Sequence, residues 1–328
     1  MNAKALGYMS IYIFPLLAVL GFYLGGYYNF LAIIAGYVLV PIGDLSIGTS
    51  IAKFSQEAEK KESKAVIYQY ITYAAGPIIV ALVIWACWVV STHDLRWYEY
   101  IGFVLSVALT SGGIGLTVAH EQCHKVNKVD MFLARMTLMC TCYMHFTIEH
   151  VFGHHARVAT PEDPATARLG QSLYRFYFQS VIGGYLSAWD LERTRLKKRR
   201  LAFWSRHNLM LWYTVVPLLF MAMITLLFGM RGLGFFLAQA LVGFSYLEII
   251  NYVEHYGLER RRFANGKYEK VSPLHSWNSD HTLSNIMLFG LPRHSDHHAH
   301  ATRKYQILRS WDGSPQLPFG YPLMMPLV

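Results

Sequence analysis

The chain is 328 residues long, 54% hydrophobic and only 15% charged, with a formal net charge of +9. Soluble domains carry about 25% charged residues, so the composition sets aside an ordinary soluble domain and points to lipid. The basic residues flank apolar segments, which reads as a cytoplasmic membrane face rather than a nucleic-acid surface.

Six stretches are long and apolar enough to cross a bilayer, which takes about 20 residues at ~1.5 Å each. They are residues 8–27, 30–47 (with Pro41 and Asp44 inside), 68–90, 100–119, 209–228 and 233–252. No small-residue cleavage site follows the first, so it is expected to be a retained span and not a signal peptide. The loop KFSQEAEKKESK (53–64) and the run RTRLKKRR (193–200) belong on the cytoplasmic side by their charge. Short connections near Gly25, His93 and Arg231 then face outward, and both termini lie inside. Residues 131–146 are apolar but short and carry Arg135. They read as a buried or interfacial helix, because a seventh span would put the basic run outside. The expected fold is therefore all-α: one membrane-embedded catalytic domain, 1–328, of six transmembrane helices with a cytoplasmic helical cap from 120–207 and 253–328.

Four cysteines are present, Cys87, Cys123, Cys140 and Cys142. Their spacing fits neither a zinc knuckle nor a thioredoxin-like motif. They read as reduced packing residues, and the chain has no tetracysteine iron site of its own.

The fifteen histidines are unevenly placed. His120 and His124 are four apart at the end of the fourth span, on one helical face. His150 and His154 repeat that spacing, with His155 about 100° further round, so the adjacent pair could serve two metals or two sides of one. His294, His297 and His298 form a third cluster, and His255 stands alone where the sixth span ends. Crowded imidazoles repel one another when protonated, so a metal is the natural reason to gather them. Nine ligands exceed the needs of one metal and fit two. HExxH, formally present at His120–Glu121–x–x–His124, needs one further zinc ligand. Seven more clustered histidines argue against that proteolytic reading. Glu149, Asp163, Glu254 and Asp296 lie close enough in sequence to orient ligand rings, or alternatively are solvated or cap helices. His93, His145, His207, His275, His281 and His300 read as structural, with His281 the first to reconsider.

The strings HEQCHK (120–125), EHVFGHHARVATPEDPA (149–165), NYVEHYGL (251–258) and LPRHSDHHAHA (291–301) resemble those of the membrane alkane 1-monooxygenases. These are integral-membrane non-haem di-iron enzymes related to membrane fatty acid desaturases and hydroxylases. Departures are small: Gln122 and Cys123 replace a common aliphatic pair, Pro292 stands where Gln is frequent, and Ala301 where Pro is. None removes a histidine.

The resemblance implies two irons held by His120, His124, His150, His154, His155, His255, His294, His297 and His298, with no catalytic side chain beyond these ligands. It implies O2 as co-substrate, electrons from rubredoxin and indirectly its reductase, and terminal hydroxylation of linear alkanes to primary alcohols. It also implies a bacterial inner-membrane location with the active site on the cytoplasmic side. A fatty acid desaturase or hydroxylase, or a hydroxylase of alkylaromatic methyl groups, is the alternative. The small residues Ser111, Gly112, Gly113 and Gly115 suit close helix packing or a narrow substrate passage. Arg193, Arg195, Lys197 and Lys198 suit either an acidic electron carrier or anionic headgroups.

Overall fold

The computed structural model describes residues 3–328, and among these the chain is all-helical, with only isolated β-bridges such as Thr49 with His281. Five helices are long and apolar enough to cross a membrane: α1 (Ala3–Leu24), α2 (Gly26–Ile47), and three further spans named below. The short α3 (Gln56–Lys64) follows α2. It is started by Ser55, whose hydroxyl accepts from Ala58 N, and it carries Glu57 and Glu59 in its first turn and Lys61 and Lys64 in its last. That order complements the helix dipole.

The next two spans are α4 (Ile67–Thr92) and α5 (Trp97–Cys123). Of the most apolar stretch of α5, 83% is buried, against 39% for α1 and 28% for α2. It is the central helix, and the others wrap it. The interfacial helix expected over 131–146 is α6 (Lys128–Met139), capped by Asn127 and packed against α4 and α5. Residues 146–157 form α7, and α8 (Leu173–Lys198) lies beside the last span.

That last span, α9 (Leu209–His255), has 47 residues and breaks at Gly229, whose φ of 66° and ψ of −167° are non-helical. A glycine tolerates this conformation without the clash a Cβ would bring. The chain folds back there. Phe220 and Phe236 sit sixteen positions apart, about 24 Å along a straight helix, yet their ring centroids are 5.4 Å apart. The two arms, 209–228 and 230–255, contain the two apolar stretches, 209–228 and 233–252, noted in the sequence.

Leu16, Leu20, Leu218, Leu219, Leu226 and Leu227 point outward and exposed. Such a girdle on the long helices is what lipid contact requires, and the protein is a multi-pass membrane protein. Inside, α5 and the second arm of α9 touch backbone to backbone, because a Cβ on Gly112 would land on the Gly243 carbonyl. Ser111 Oγ donates to Gln239 Oε1 at 2.7 Å, and Gln239 Nε2 donates to Cys140 O at 2.7 Å, so the crossing is also locked by paired polar groups.

The tail folds back onto the spans through α10 (Thr282–Met287), α11 (His294–Ala299) and α12 (Tyr321–Met324). Asp44, the lone acid inside α2, is buried and accepts from Leu283 N at 2.8 Å and Ser284 N at 3.0 Å. Its charge holds the start of α10, which explains why an apolar span carries it.

Candidate metal centre

α5, α7, the end of α9 and α11 bring the nine clustered histidines together in two groups. His120, His124, His150, His155 and His297 form one, and His154, His255, His294 and His298 the other. Within each group the ring nitrogens lie within 4.8 Å of one another. Nε2 of His150 is 3.1 Å from that of His124 and 3.0 Å from that of His155, which is 3.0 Å from that of His297. In the second group the separations are 3.2 Å for His154 to His298, 3.2 Å for His294 to His255 and 3.0 Å for His298 to His294. A metal about 2.1 Å from each nitrogen places neighbouring nitrogens ~3.0 Å apart at right angles. His120 Nε2 is buried with no hydrogen-bond partner. The nitrogens therefore converge at the spacing of a coordination shell, and the donor set fits a transition metal that accepts imidazole.

The division differs from simple helical spacing. His150 and His154 were expected on one face, but residues Glu149–His154 wind as a π-helix. The wider turn brings His155 back over His150, five positions away, and sends His154 to the other group. His294 and His298 keep ordinary i, i+4 register, while His297 crosses to the first group.

Burial, reinforced by repulsion between rings, pushes His150, His155, His294, His297 and His298 well below the usual imidazole range. Burial and the nearby Lys125 push His124 down to about 3. Neutral rings keep their lone pairs free for a metal. His154 differs: burial lowers it, but the Asp163 carboxylate at 2.8 Å from Nδ1 outweighs that and raises it.

An apolar channel with a cavity volume of about 80 Å³, open in part to the exterior, runs to both groups. Its walls include Gly36 and Tyr37 from a π-turn in α2 and Leu109, Gly112 and Gly113 from a π-turn in α5. It ends on His120 and His150 of one group and His294 of the other. Local widening of a helix at a functional site is a common use of π-turns.

The fatty acid desaturase family model matches residues 95–327. The chain is 43% identical over 292 residues to an alkane 1-monooxygenase 2 of Pseudomonas aeruginosa, covering 88% of this chain and 77% of the relative. It is 39% identical over 303 residues to alkane 1-monooxygenase 1 of the same organism, covering 92% and 79%. A xylene/toluene monooxygenase hydroxylase component of Pseudomonas putida is more distant, at 27% over 221 residues, 67% of this chain and 58% of the relative. The chain belongs to the fatty acid desaturase family, on its alkane 1-monooxygenase branch. The family match spans all four histidine strings.

The four carboxylates singled out by sequence have separate surroundings. Asp163 is fully buried and holds His154 Nδ1, with Thr166 Oγ1 donating to it at 2.6 Å. Glu254 Oε2 lies 3.2 Å from His294 Nε2, while its Oε1 has no hydrogen-bond partner. Glu149 pairs with Arg157 at 2.9 Å and accepts from Ser187, and burial pushes its carboxyl up to about 7. Asp296 touches no gathered ring: it holds Arg303, accepts from Trp311 Nε1 at 2.7 Å and from Arg309 N at 2.9 Å, and so pins the tail.

The remaining six histidines stay out of both groups. His275 contacts Glu269 at 3.2 Å, His300 contacts Asp296 at 3.1 Å, and His281 Nδ1 is 3.0 Å from Ser279 Oγ. Sequence reasoning missed Tyr321, Pro322 and Met325, which wall the channel from the tail. No histidine or periodicity marks them, and the Pro/Gly-rich stretch read only as a cap.

Proposed function

We propose that this protein hydroxylates linear alkanes at the terminal carbon, at two non-haem irons held by the nine gathered histidines. His120, His124, His150, His155 and His297 would hold one iron, and His154, His255, His294 and His298 the other. Bound iron supplies the redox chemistry that activates O2, so that one oxygen enters a C–H bond while two electrons and two protons reduce the other to water. The chain's own residues do the rest. The apolar channel excludes water and presents one end of a hydrocarbon to rings of both groups. An alkane offers no polar handle and already dissolves in lipid, so the walls act by orientation more than by burial. Asp163 holds the His154 ring in register.

The observation that carries this reading is the channel itself: an apolar passage ending on both histidine groups. Alkane 1-monooxygenases among the relatives support the substrate, with identities of 43% and 39%. Electrons come from a reduced rubredoxin, itself reduced by its reductase. The two arms of α9 make six crossings in all. With Lys53–Lys64 and the run 193–200 on one side, both termini and the metal centre face the cytoplasm. The membrane is the bacterial inner membrane, and residues 1–328 act as one catalytic domain.

Product analysis tests it. Protein in lipid nanodiscs is given rubredoxin, its reductase, NADH, heavy-isotope oxygen and a mixture of linear alkanes. Primary alcohols carrying the label are expected. Labelled products from acyl chains or alkylaromatics alone would leave the metal centre standing and overturn the substrate.

A further inference from the structure

Seven of the nine gathered rings are buried, and only His124 and His155 are half-exposed. Both belong to the five-histidine group, and all four rings of the other group are buried. Among the described residues, the gathered rings are reached by these cavities. One is the apolar channel. A second, of about 20 Å³ between Glu149 and Glu248, holds no more than a water. The third is a groove of about 380 Å³ on which His124 opens, edged by Lys64, Lys125 and Lys304. It is the only polar one of the three with room for a partner's side chains.

From this we infer that electrons enter at the five-histidine group through His124, and that the lysine-edged groove over it docks a small acidic one-electron carrier protein. The inference rests on the hydroxylase reading, which needs an external electron source. Charge supports the partner's sign. Lys64 and Lys304 are exposed, and Lys128 stands exposed close by in sequence. The groove's two carboxylates, Glu121 and Asp130, are buried, and Glu121 is ion-paired with Lys125. The accessible rim is therefore cationic, and a complementary acidic surface would be steered onto it.

The basic run 193–200 is the rival surface. No gathered histidine lines the open cleft next to it. Arg195 is spent on Glu192, at 2.6 Å, and on the His207 carbonyl. Its helix, α8, exposes Tyr174, Phe178, Ile182 and Leu186 along one stripe. Such a face lies on lipid, with the basic end toward headgroups.

Each carrier gives up one electron and is itself oxidised by one. Two carriers supply the two electrons that, with O2 and two protons, turn R–H into R–OH and water.

The test measures binding directly, without alkane, so its failure is separable from failure of the hydroxylase reading. Rubredoxin is titrated onto the iron-loaded protein in nanodiscs of zwitterionic lipid, at low and high salt. Lys64→Glu with Lys304→Glu should weaken binding at least tenfold at low salt, flatten the salt dependence and raise KM for the carrier more than it lowers kcat. Lys64→Arg with Lys304→Arg should bind as the unsubstituted protein does. Iron content checks that each variant is folded. Unchanged binding in the glutamate pair, loss of binding in Lys197→Glu with Lys198→Glu instead, or no binding by the unsubstituted protein would each overturn the inference.

Discussion

Asp163 offers the sharpest test of how the two histidine groups differ. Its carboxylate is fully buried, accepts from His154 Nδ1 at 2.8 Å and from Thr166 Oγ1 at 2.6 Å, and takes a further bond from Ala165 N at 3.2 Å. Among the gathered rings, only His154 has such a carboxylate on the nitrogen that faces away from its group. Asp163→Asn keeps the shape and removes the charge. A hydrogen bond to a charged group is worth about 1.5–3 kcal/mol, and removing an outer partner of a metal-bound histidine costs roughly 10–100-fold in affinity. The two converge on about 2 kcal/mol, or roughly 30-fold at ~1.4 kcal/mol per decade. His154 belongs to the four-histidine group alone, so the loss should fall on one metal. Anaerobic titration of metal-free protein with ferrous ion against a chelator reads both sites. The expected curve keeps one equivalent at its original affinity and moves the other by about 30-fold. Equal weakening of both sites, or no change in either, would refute the assignment of Asp163 to a single group.

Three further perturbations follow from the geometry. In Gly36→Leu the first added carbon comes 2.9 Å from Leu109 Cδ2 and 3.4 Å from Phe14 Cε1, on the channel wall. Overpacking of this kind costs about 1–3 kcal/mol, so kcat/KM for the longest accepted alkanes should drop about tenfold or more while the shortest change little; an equal drop at all lengths counts against a channel. Gly112→Ala places a methyl group against the Gly243 backbone, which cannot swing aside, and should lower the thermal unfolding midpoint of the nanodisc-held protein measurably. Metal-free protein should lose stability as pH falls. The folded-state imidazoles of His124, His150, His155, His294, His297 and His298 are depressed. Their contribution is therefore complete above the unfolded value of about 6.5 and is lost as pH drops toward the folded values, about 3 for His124; a denaturation midpoint flat from pH 7.5 to 5 would contradict this.

The spans were legible because hydropathy survives without tertiary context. Every apolar stretch read from the sequence falls within a few residues of a helix, and even the turn near Arg231 matches the break at Gly229. Asp44 was legible as an anomaly but not as a cap, because α10 lies some 240 positions away in the chain. The channel was not legible. Its walls come from α1, α2, α5, α7, α9 and the tail, and no local pattern records which faces of six distant segments meet. Asp296 shows the same limit in reverse. It sits between ligand candidates in sequence, yet its oxygens face Arg303, Arg309 and Trp311.

The partition of nine histidines into five and four turns on one local departure from α-helical winding. Counting in steps of four pairs His150 with His154, and on an unbroken α-helix both would face one site with His155 turned away. The π-turn at Glu149–His154 inserts the equivalent of one extra residue, and the pair becomes His150 with His155. One short helix can then feed both groups, which lets the two sites sit side by side under a single apolar channel. The same division sets their exposure. His155 and His124 end on the half-exposed side of the five-histidine group, while His154 is turned inward to Asp163 and His298. A substrate entering from lipid meets both groups, whereas a partner approaching from the polar side meets only one. On the electron-entry route proposed above, an asymmetric pair of this kind would separate the surface that receives electrons from the surface that receives hydrocarbon, with ligands that alternate along a single turn of chain.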